Sequence, residues 1–193
     1  MTYFPGIDDS EFLRGDIPMT KQEIRILTLN KAKISAADVI VDIGAGTGSL
    51  SIEAALQAPC GTVYAIERHP EGVDLIRANA EKFGVKNLNV ISGTAPAVLE
   101  NIPAADVVFI GGSGGYLQEI LDQSGQLLKA NGRLVITAVT IETVYEALHI
   151  MQAKPEFAVE AFGVQVTRIK HIKTSNMFNA LNPIYIITAT KIA

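Results

Sequence analysis

Asp42 stands near the end of the apolar run Val39-Ile40-Val41-Asp42-Ile43, and glycines follow at every second position, Gly44, Gly46 and Gly48. Glycine in such a turn permits positive φ and leaves bare backbone for a ligand to lie against, while the helix opening behind it favours negative charge. A dinucleotide loop spaces its glycines as G-x-G-x-x-G, which would put the third at position 49, where this chain has Ser49. The spacing here is G-x-G-x-G, with Ala45 and Thr47 between the glycines. A second acid, Glu67, ends another β-rich run and offers two acceptor oxygens. A second glycine-rich stretch, Gly111, Gly112, Ser113, Gly114 and Gly115, strips side chains from the edge where open α/β sheets bind ligands. It either makes room for a large flat substrate or forms a loop closed over a cofactor. His69, His149 and His171 are scattered without metal-ligand spacing and read as surface residues, so no metal site is expected and no Ser-His-Asp set is visible.

The elements that must position these residues follow from hydrophobic periodicity. Strands are expected over 39–43, 62–67, 88–92, 105–110 and 133–139, and helices over 48–58, 70–83, 95–99, 115–128 and 141–151. Such alternation builds a mostly parallel sheet with right-handed crossovers and helices on both faces. Two β-rich runs close the chain, over 157–173 and 183–191, and are expected to pair antiparallel at the sheet edge because a parallel return needs a long crossover. The sum is a seven-stranded, Rossmann-like sheet with one antiparallel strand. Before it, residues 1–18 read as an irregular surface segment. A helix is expected from Thr20 to about residue 33, with Ile24, Leu27 and Ile26 inward and Thr20-Lys21-Gln22-Glu23 as its capping box. The chain reads as one domain over 1–193: an N-terminal segment and helix (1–35), a core (36–153) and a C-terminal strand pair (154–193).

Composition limits the function classes. The 193 residues are 48% hydrophobic and 19% charged, with net charge −4, which excludes a disordered chain and counts against a nucleic-acid backbone as partner. Such an oily chain needs strands buried on both faces or apolar surface covered by another copy. No run approaches the roughly 20 apolar residues of a membrane span, the one cysteine cannot form an intrachain disulfide, and the opening lacks a signal-peptide pattern, so a cytoplasmic protein is expected.

Asp42 with Gly44, Gly46 and Gly48 resembles motif I of the class I S-adenosylmethionine methyltransferases, and the resemblance extends over most of the chain. It implies that the loop Gly44-Ala45-Gly46-Thr47-Gly48 holds the methionine and ribose parts of S-adenosyl-L-methionine, that Asp42 bonds near its amino group, and that Glu67 takes the ribose hydroxyls. Gly93, Thr94 and Ala95 would then lie at the adenine. The Asp/Asn-Pro-Pro-aromatic motif of enzymes that methylate exocyclic amines is missing after the fourth strand; Asn182-Pro183-Ile184-Tyr185 is similar but precedes the last strand and reads as a turn.

A narrower resemblance rests on Gly6-Ile7-Asp8-Asp9 with Phe12, on Pro18-Met19-Thr20-Lys21-Gln22-Glu23-Ile24-Arg25, on Gly93-Thr94-Ala95-Pro96, and on Phe109-Ile110 followed by the glycine run. These resemble the decarboxylating precorrin-6B (cobalt-precorrin-6B) C15-methyltransferase family of cobalamin biosynthesis. The resemblance implies methylation of C15 of a corrin precursor with loss of the ring C acetate as CO₂. It also implies a homotetramer, Thr20 beside the cofactor, and a C5-methyltransferase as partner or fusion. A polycarboxylate tetrapyrrole needs cations at the rim, for which Arg14, Lys21, Arg25 and the run from Arg168 to Lys173 are candidates; that run equally suits a solvated edge strand. Two other readings stay open: an RNA methyltransferase of the tRNA adenine-N1 type, and a cofactor-binding subunit without turnover.

Overall fold

The computed structural model describes residues 5–192; Met1 to Phe4 and Ala193, the ends of the expected domain, lie outside the described residues. In chain order the elements are α1 (Gln22–Ala32), β1 (Val39–Ile43), α2 (Ser49–Gln57), β2 (Thr62–Glu67), α3 (Pro70–Lys82), β3 (Leu88–Ser92), β4 (Ala105–Ile110), α4 (Leu117–Leu127), β5 (Leu128–Ala138), α5 (Ile141–Gln152), β6 (Phe157–Val164), β7 (Thr167–Ile172), β8 (Ser175–Ala180) and β9 (Ile184–Lys191).

Strand β1 alternates its apolar residues between two cores. Val41 and Ile43 join a core with Leu117, Ile120 and Leu121 of α4 and Ala147 and Met151 of α5. Ile40 joins the other, with Ile24 and Leu29 of α1 and Leu50 and Ala54 of α2. A sheet covered on both faces needs apolar residues at both parities of a strand, which accounts for much of the oily composition. Among the described residues no helix is long and apolar enough to cross a membrane.

The seven strands lie in the order β3-β2-β1-β4-β5-β9-β6. The first five pair in parallel, and β9 runs antiparallel to both β5 and β6. The expected antiparallel pair thus forms, with β9 inserted beside β5 and β6 at the edge. The order reverses between β1 and β4, the place where loops diverge and leave a crevice at the carboxyl ends of the strands.

Several expectations are corrected. The run 157–173 is not one strand: it breaks after β6, and β7 pairs with β8 as a separate two-stranded sheet. Both strands of this hairpin are exposed throughout, so neither periodicity nor burial of one face marked the break. Residues 95–99 are not an α-helix; they form a turn that ends in a short 3-10 turn, Leu99–Asn101. The fourth helix starts at Leu117 rather than 115, because Gly114 and Gly115 take positive φ.

The capping box at Thr20 does not form. Lys21 is the N-cap residue, without a side-chain bond, and the carboxylate of Asp9 accepts from Gln22 N–H at 3.0 Å instead. A cap delivered from a distant segment satisfies the same free donor as a local one. Ile26 is exposed, while Ile24 is buried and Leu27 half-buried.

Over its described residues the N-terminal segment is irregular and mostly exposed, as expected, but it is anchored: Phe12 is buried and packs on Phe83 with ring centroids 4.9 Å apart, and Met19 just after it is buried too. The Asn79 carboxamide of α3 accepts from Leu13 N–H (2.8 Å) and donates to Leu13 O (3.1 Å) and Thr47 O (2.9 Å). It thereby fastens the segment to the first glycine loop.

Candidate active site

One cavity of about 510 Å³ opens at the carboxyl ends of the parallel strands, within the range of roughly 300–1,000 Å³ usual for small-molecule sites. The turn after β1 supplies Gly44, Ala45 and Gly46. Glu67, Arg68 and His69 come from the end of β2, Gly93, Thr94 and Ala95 follow β3, and Gly111, Gly112, Ser113 and Gly114 follow β4. The segment Ile17 to Lys21 forms a further wall.

The glycines at 44 and 46 are required by both conformation and space. Both have positive φ, and a Cβ at Gly44 would lie 2.7 Å from Gly112 O, while one at Gly46 would lie 2.8 Å from Pro18 O. The turn is therefore wedged between the second glycine run and the N-terminal wall. Backbone bonds lace it in place: Gly44 N–H and Ala45 N–H both donate to Ile66 O at 3.0 Å, and Gly111 N–H donates to Ile43 O at 2.9 Å.

Glu67 is buried and held at both oxygens by backbone amides. Gly46 N–H donates to Oε2 and His69 N–H to Oε1, each at 2.9 Å. Gly72, in the first turn of α3, makes this seat possible, since a Cβ there would lie 2.7 Å from Glu67 Cγ. Carboxylate oxygens keep further lone pairs after one such bond, so Glu67 can still accept from a pair of vicinal hydroxyls. Beside it, the bare backbone of the first turn suits an extended polar chain, and Gly93 to Ala95 line the same cavity.

Asp42 does not line the cavity. It is buried behind the turn, where Ser51 Oγ donates to its Oδ2. Burial raises its pKa to about 6, the Ser51 bond opposes that shift, and the negative charge of Glu67 adds to it. The folded value lies above the ordinary 3.8, so the fold favours the protonated acid. The penalty on the ionised form is fully present above about pH 6 and fades as pH falls toward 4. Asp42→Asn cannot titrate, so its stability relative to wild type is expected to rise by about 1–2 kcal/mol between pH 5 and pH 8. Urea midpoints at the two pH values measure this, and an equal difference at both would show that Asp42 titrates normally.

The other expected site residues divide by location. Thr20 lines the cavity, as does Lys21. Thr47 and Gly48 are buried behind the turn, where Gly48 lets α3 approach: its Cβ would meet Ile76 Cγ1 at 3.0 Å. Gly115 lies outside the lining, and Arg14 is exposed away from it.

Arg25 is no rim cation. It is fully buried and bound to Glu53 Oε1 and Asp9 Oδ1, each at 2.8 Å. Arg168 sits on the β7–β8 hairpin, where its Nη2 contacts both Glu23 oxygens at 2.9 and 2.8 Å. That bond holds the Glu23 carboxyl below its usual range. Arg168 thus ties the hairpin to α1 and does not reach the cavity. Sequence reasoning missed Arg68, Thr137, Val139 and Ile184 as lining residues, and left His69 on the surface; it is exposed yet lines the cavity mouth. The position of Arg68 directly after the expected ribose acid was the available signal.

Over residues 11–191 the chain matches the family described as the precorrin methyltransferase domain. It is 42% identical over 192 residues, 97% of this chain and 98% of the relative, to the probable cobalt-precorrin-6B C(15)-methyltransferase (decarboxylating) of Sulfolobus acidocaldarius. It is 37% identical over 184 residues, 95% of each chain, to the cobalt-precorrin-6B C(15)-methyltransferase (decarboxylating) of Salmonella typhimurium. Among solved structures, the precorrin-6y C5,15-methyltransferase of Geobacter metallireducens superposes with a TM-score of 0.91 at 42% identity, covering 96% of this chain and 98% of that one.

Proposed function

The chain belongs to the precorrin methyltransferase family, and from that premise we propose that it methylates C15 of cobalt-precorrin-6B or precorrin-6B and removes the ring C acetate as CO₂, in cobalamin biosynthesis. The observation that carries this reading is the cavity at the β1/β4 switch point, whose glycine cradle and doubly held Glu67 fit a nucleoside cofactor on one side and leave open space on the other. When bound, S-adenosyl-L-methionine supplies an electrophilic methyl group on a sulfonium.

The residues of the chain bind and orient. Glu67 takes the ribose hydroxyls, the Gly44 to Gly46 backbone seats the methionine portion, and Gly93 to Ala95 border the adenine. Thr20 and Met19, on the N-terminal wall, exclude water from the reacting atoms. In-line methyl transfer to an electron-rich carbon depends on such positioning more than on a strong base.

Anaerobic incubation of the full chain with methyl-labelled cofactor and cobalt-precorrin-6B, scoring methyl incorporation and CO₂, tests the reading. A folded, cofactor-binding protein that gives neither product overturns it.

A cytoplasmic homotetramer completes the proposal. The support for association is the apolar surface of the β7–β8 hairpin, where Ile169 and Phe178, paired across the two strands, are 69% and 83% exposed, a contiguous apolar patch of the kind that marks an interaction surface. Sedimentation velocity is expected to give a tetramer for the wild-type chain and a smaller species for Phe178→Asp.

A further inference from the structure

The strand order divides the cavity into two halves of different chemistry. Over β3, β2 and β1 lie Glu67 and the glycine cradle. Over β4, β5 and the start of β9 lie Thr137, Val139 and Ile184, which bring no ionisable group to the lining. Two cations line the cavity, Lys21 on the N-terminal wall and Arg68 after β2.

Arg68 arches between the halves. Strand β1 separates β2 from β4, yet a Cβ at Gly114, after β4, would lie 2.6 Å from Arg68 Nη1. Gly114 has φ +61°, so both the backbone and the space at this position suit glycine, and the guanidinium takes the seat a side chain would fill. Its Nε faces His69 Nε2 at 3.3 Å. Among the described residues neither Arg68 nor Lys21 has a carboxylate within ion-pair distance, whereas Arg25 and Arg168 do.

Resting on the corrin-precursor reading above, we propose that Arg68, assisted by Lys21, binds a carboxylate that the macrocycle keeps, and that the acetate to be lost lies in the uncharged half beside Thr137, Val139 and Ile184. A guanidinium stabilises a carboxylate but not the CO₂ formed from it, so a carboxylate held by Arg68 is protected from cleavage. A carboxylate pressed against an apolar wall loses hydration and is raised in energy before reaction.

The charges balance without another reagent. The macrocycle uses a ring electron pair to form the C15–CH₃ bond, while the S–CH₃ bonding pair stays on sulfur, and the ring gains one positive charge. Cleavage of the CH₂–CO₂⁻ bond sends its pair into the conjugated ring, cancels that charge and releases CO₂. A proton shift within the macrocycle then turns the exocyclic methylene into a methyl group. The sorting of carboxylates by the cavity thus decides which side chain is lost.

The experiment uses the full chain with cobalt-precorrin-6B under anaerobic conditions and reads methyl incorporation and CO₂ separately. Wild-type turnover comes first: absence of turnover would sink the corrin reading itself, and only with turnover do the variants bear on the sorting. Arg68→Gln is expected to raise KM for the macrocycle about tenfold or more, as for loss of a hydrogen-bonded charge, with the cofactor Kd unchanged and partial recovery in Arg68→Lys. Val139→Lys, at a position 69% exposed, places a cation in the uncharged half. It is expected to lower CO₂ released per methyl transferred well below one, so that a methylated product retaining its acetate accumulates; Val139→Leu should not. Ile184→Lys repeats the test from β9. A raised cofactor Kd with unchanged KM in Arg68→Gln would make Arg68 a cofactor ligand and overturn the first part. A CO₂ to methyl ratio of one in both lysine variants would overturn the second.

Discussion

Replacing Glu67 by alanine is expected to weaken S-adenosyl-L-methionine binding by about 1–3 kcal/mol, a factor of roughly 5 to 150 in Kd. The carboxylate ends β2 facing the cavity, and its two oxygens are aimed by the amides of Gly46 and His69. Hydrogen bonds to an ionised acceptor are stronger than neutral ones, and a pre-aimed acceptor loses little freedom on binding. Alanine removes the acceptor and also leaves two amides at the cavity wall to be satisfied by water. Glu67→Asp should fall between, because the shorter side chain cannot keep both amide bonds while reaching the ribose. Isothermal titration with the cofactor decides the matter, with thermal unfolding as the control for folding. A Kd within twofold of wild type in Glu67→Ala would remove Glu67 from the site.

Replacing Arg25 by methionine is expected to cost about 3–5 kcal/mol of folding stability, a large share of the 5–15 kcal/mol typical of a domain. Arg25 on α1 is fully buried. Its Nε bonds Glu53 Oε1 on α2, and its Nη1 bonds Asp9 Oδ1 and Thr20 O. Its Nη2 donates to Ile7 O, and the guanidinium lies 4.8 Å from the Phe12 ring centroid. Methionine fills similar volume but removes the guanidinium charge and its Nε bond from the buried Glu53, and takes a donor from the Ile7 and Thr20 carbonyls.

Arg25→Lys keeps the charge but not the planar fork, and should lose part of the stability only. Because the Arg25 guanidinium also holds the carbonyl of Thr20, in the Ile17 to Lys21 wall of the cavity, the methionine variant should also bind cofactor more weakly. The urea midpoint reads the first effect, and a loss below about 1 kcal/mol would show that the network is not coupled to folding.

Arg25 also illustrates what a sequence conceals. Within a run ending Gln22-Glu23-Ile24-Arg25 it looks like a solvated cation, since arginine is almost never fully buried unless paired. Its partners, Asp9 and Glu53, are 16 and 28 residues away, and no local pattern marks them. The same holds for the helix cap taken from Asp9, and for Arg168, whose bonds to Glu23 span 145 residues. By contrast, strands β1 to β4 fall on the residues expected of them, because an apolar run between turn residues carries its own signal. Strand β7 is legible only as part of the β-rich run 157–173, and β8 not at all, since both faces of their hairpin are exposed and its register is not constrained by a core.

The sequence by itself determined the parallel sheet, the two glycine turns at its carboxyl edge, the acid at the end of β2 and the family resemblance. All are local: a strand, a turn and a helix start are written in consecutive residues. Only the tertiary structure decided that Asp42 lies behind the turn, that the N-terminal segment is a wall of the site, and that Arg25 and Arg168 are structural cations. It also brought Arg68 from β2 over to Gly114. Each of these is a pairing of charge with charge, or of polar group with backbone, across strands or helices far apart in the chain, and burial, which sets the partner and the cost of losing it, exists only once the chain has folded.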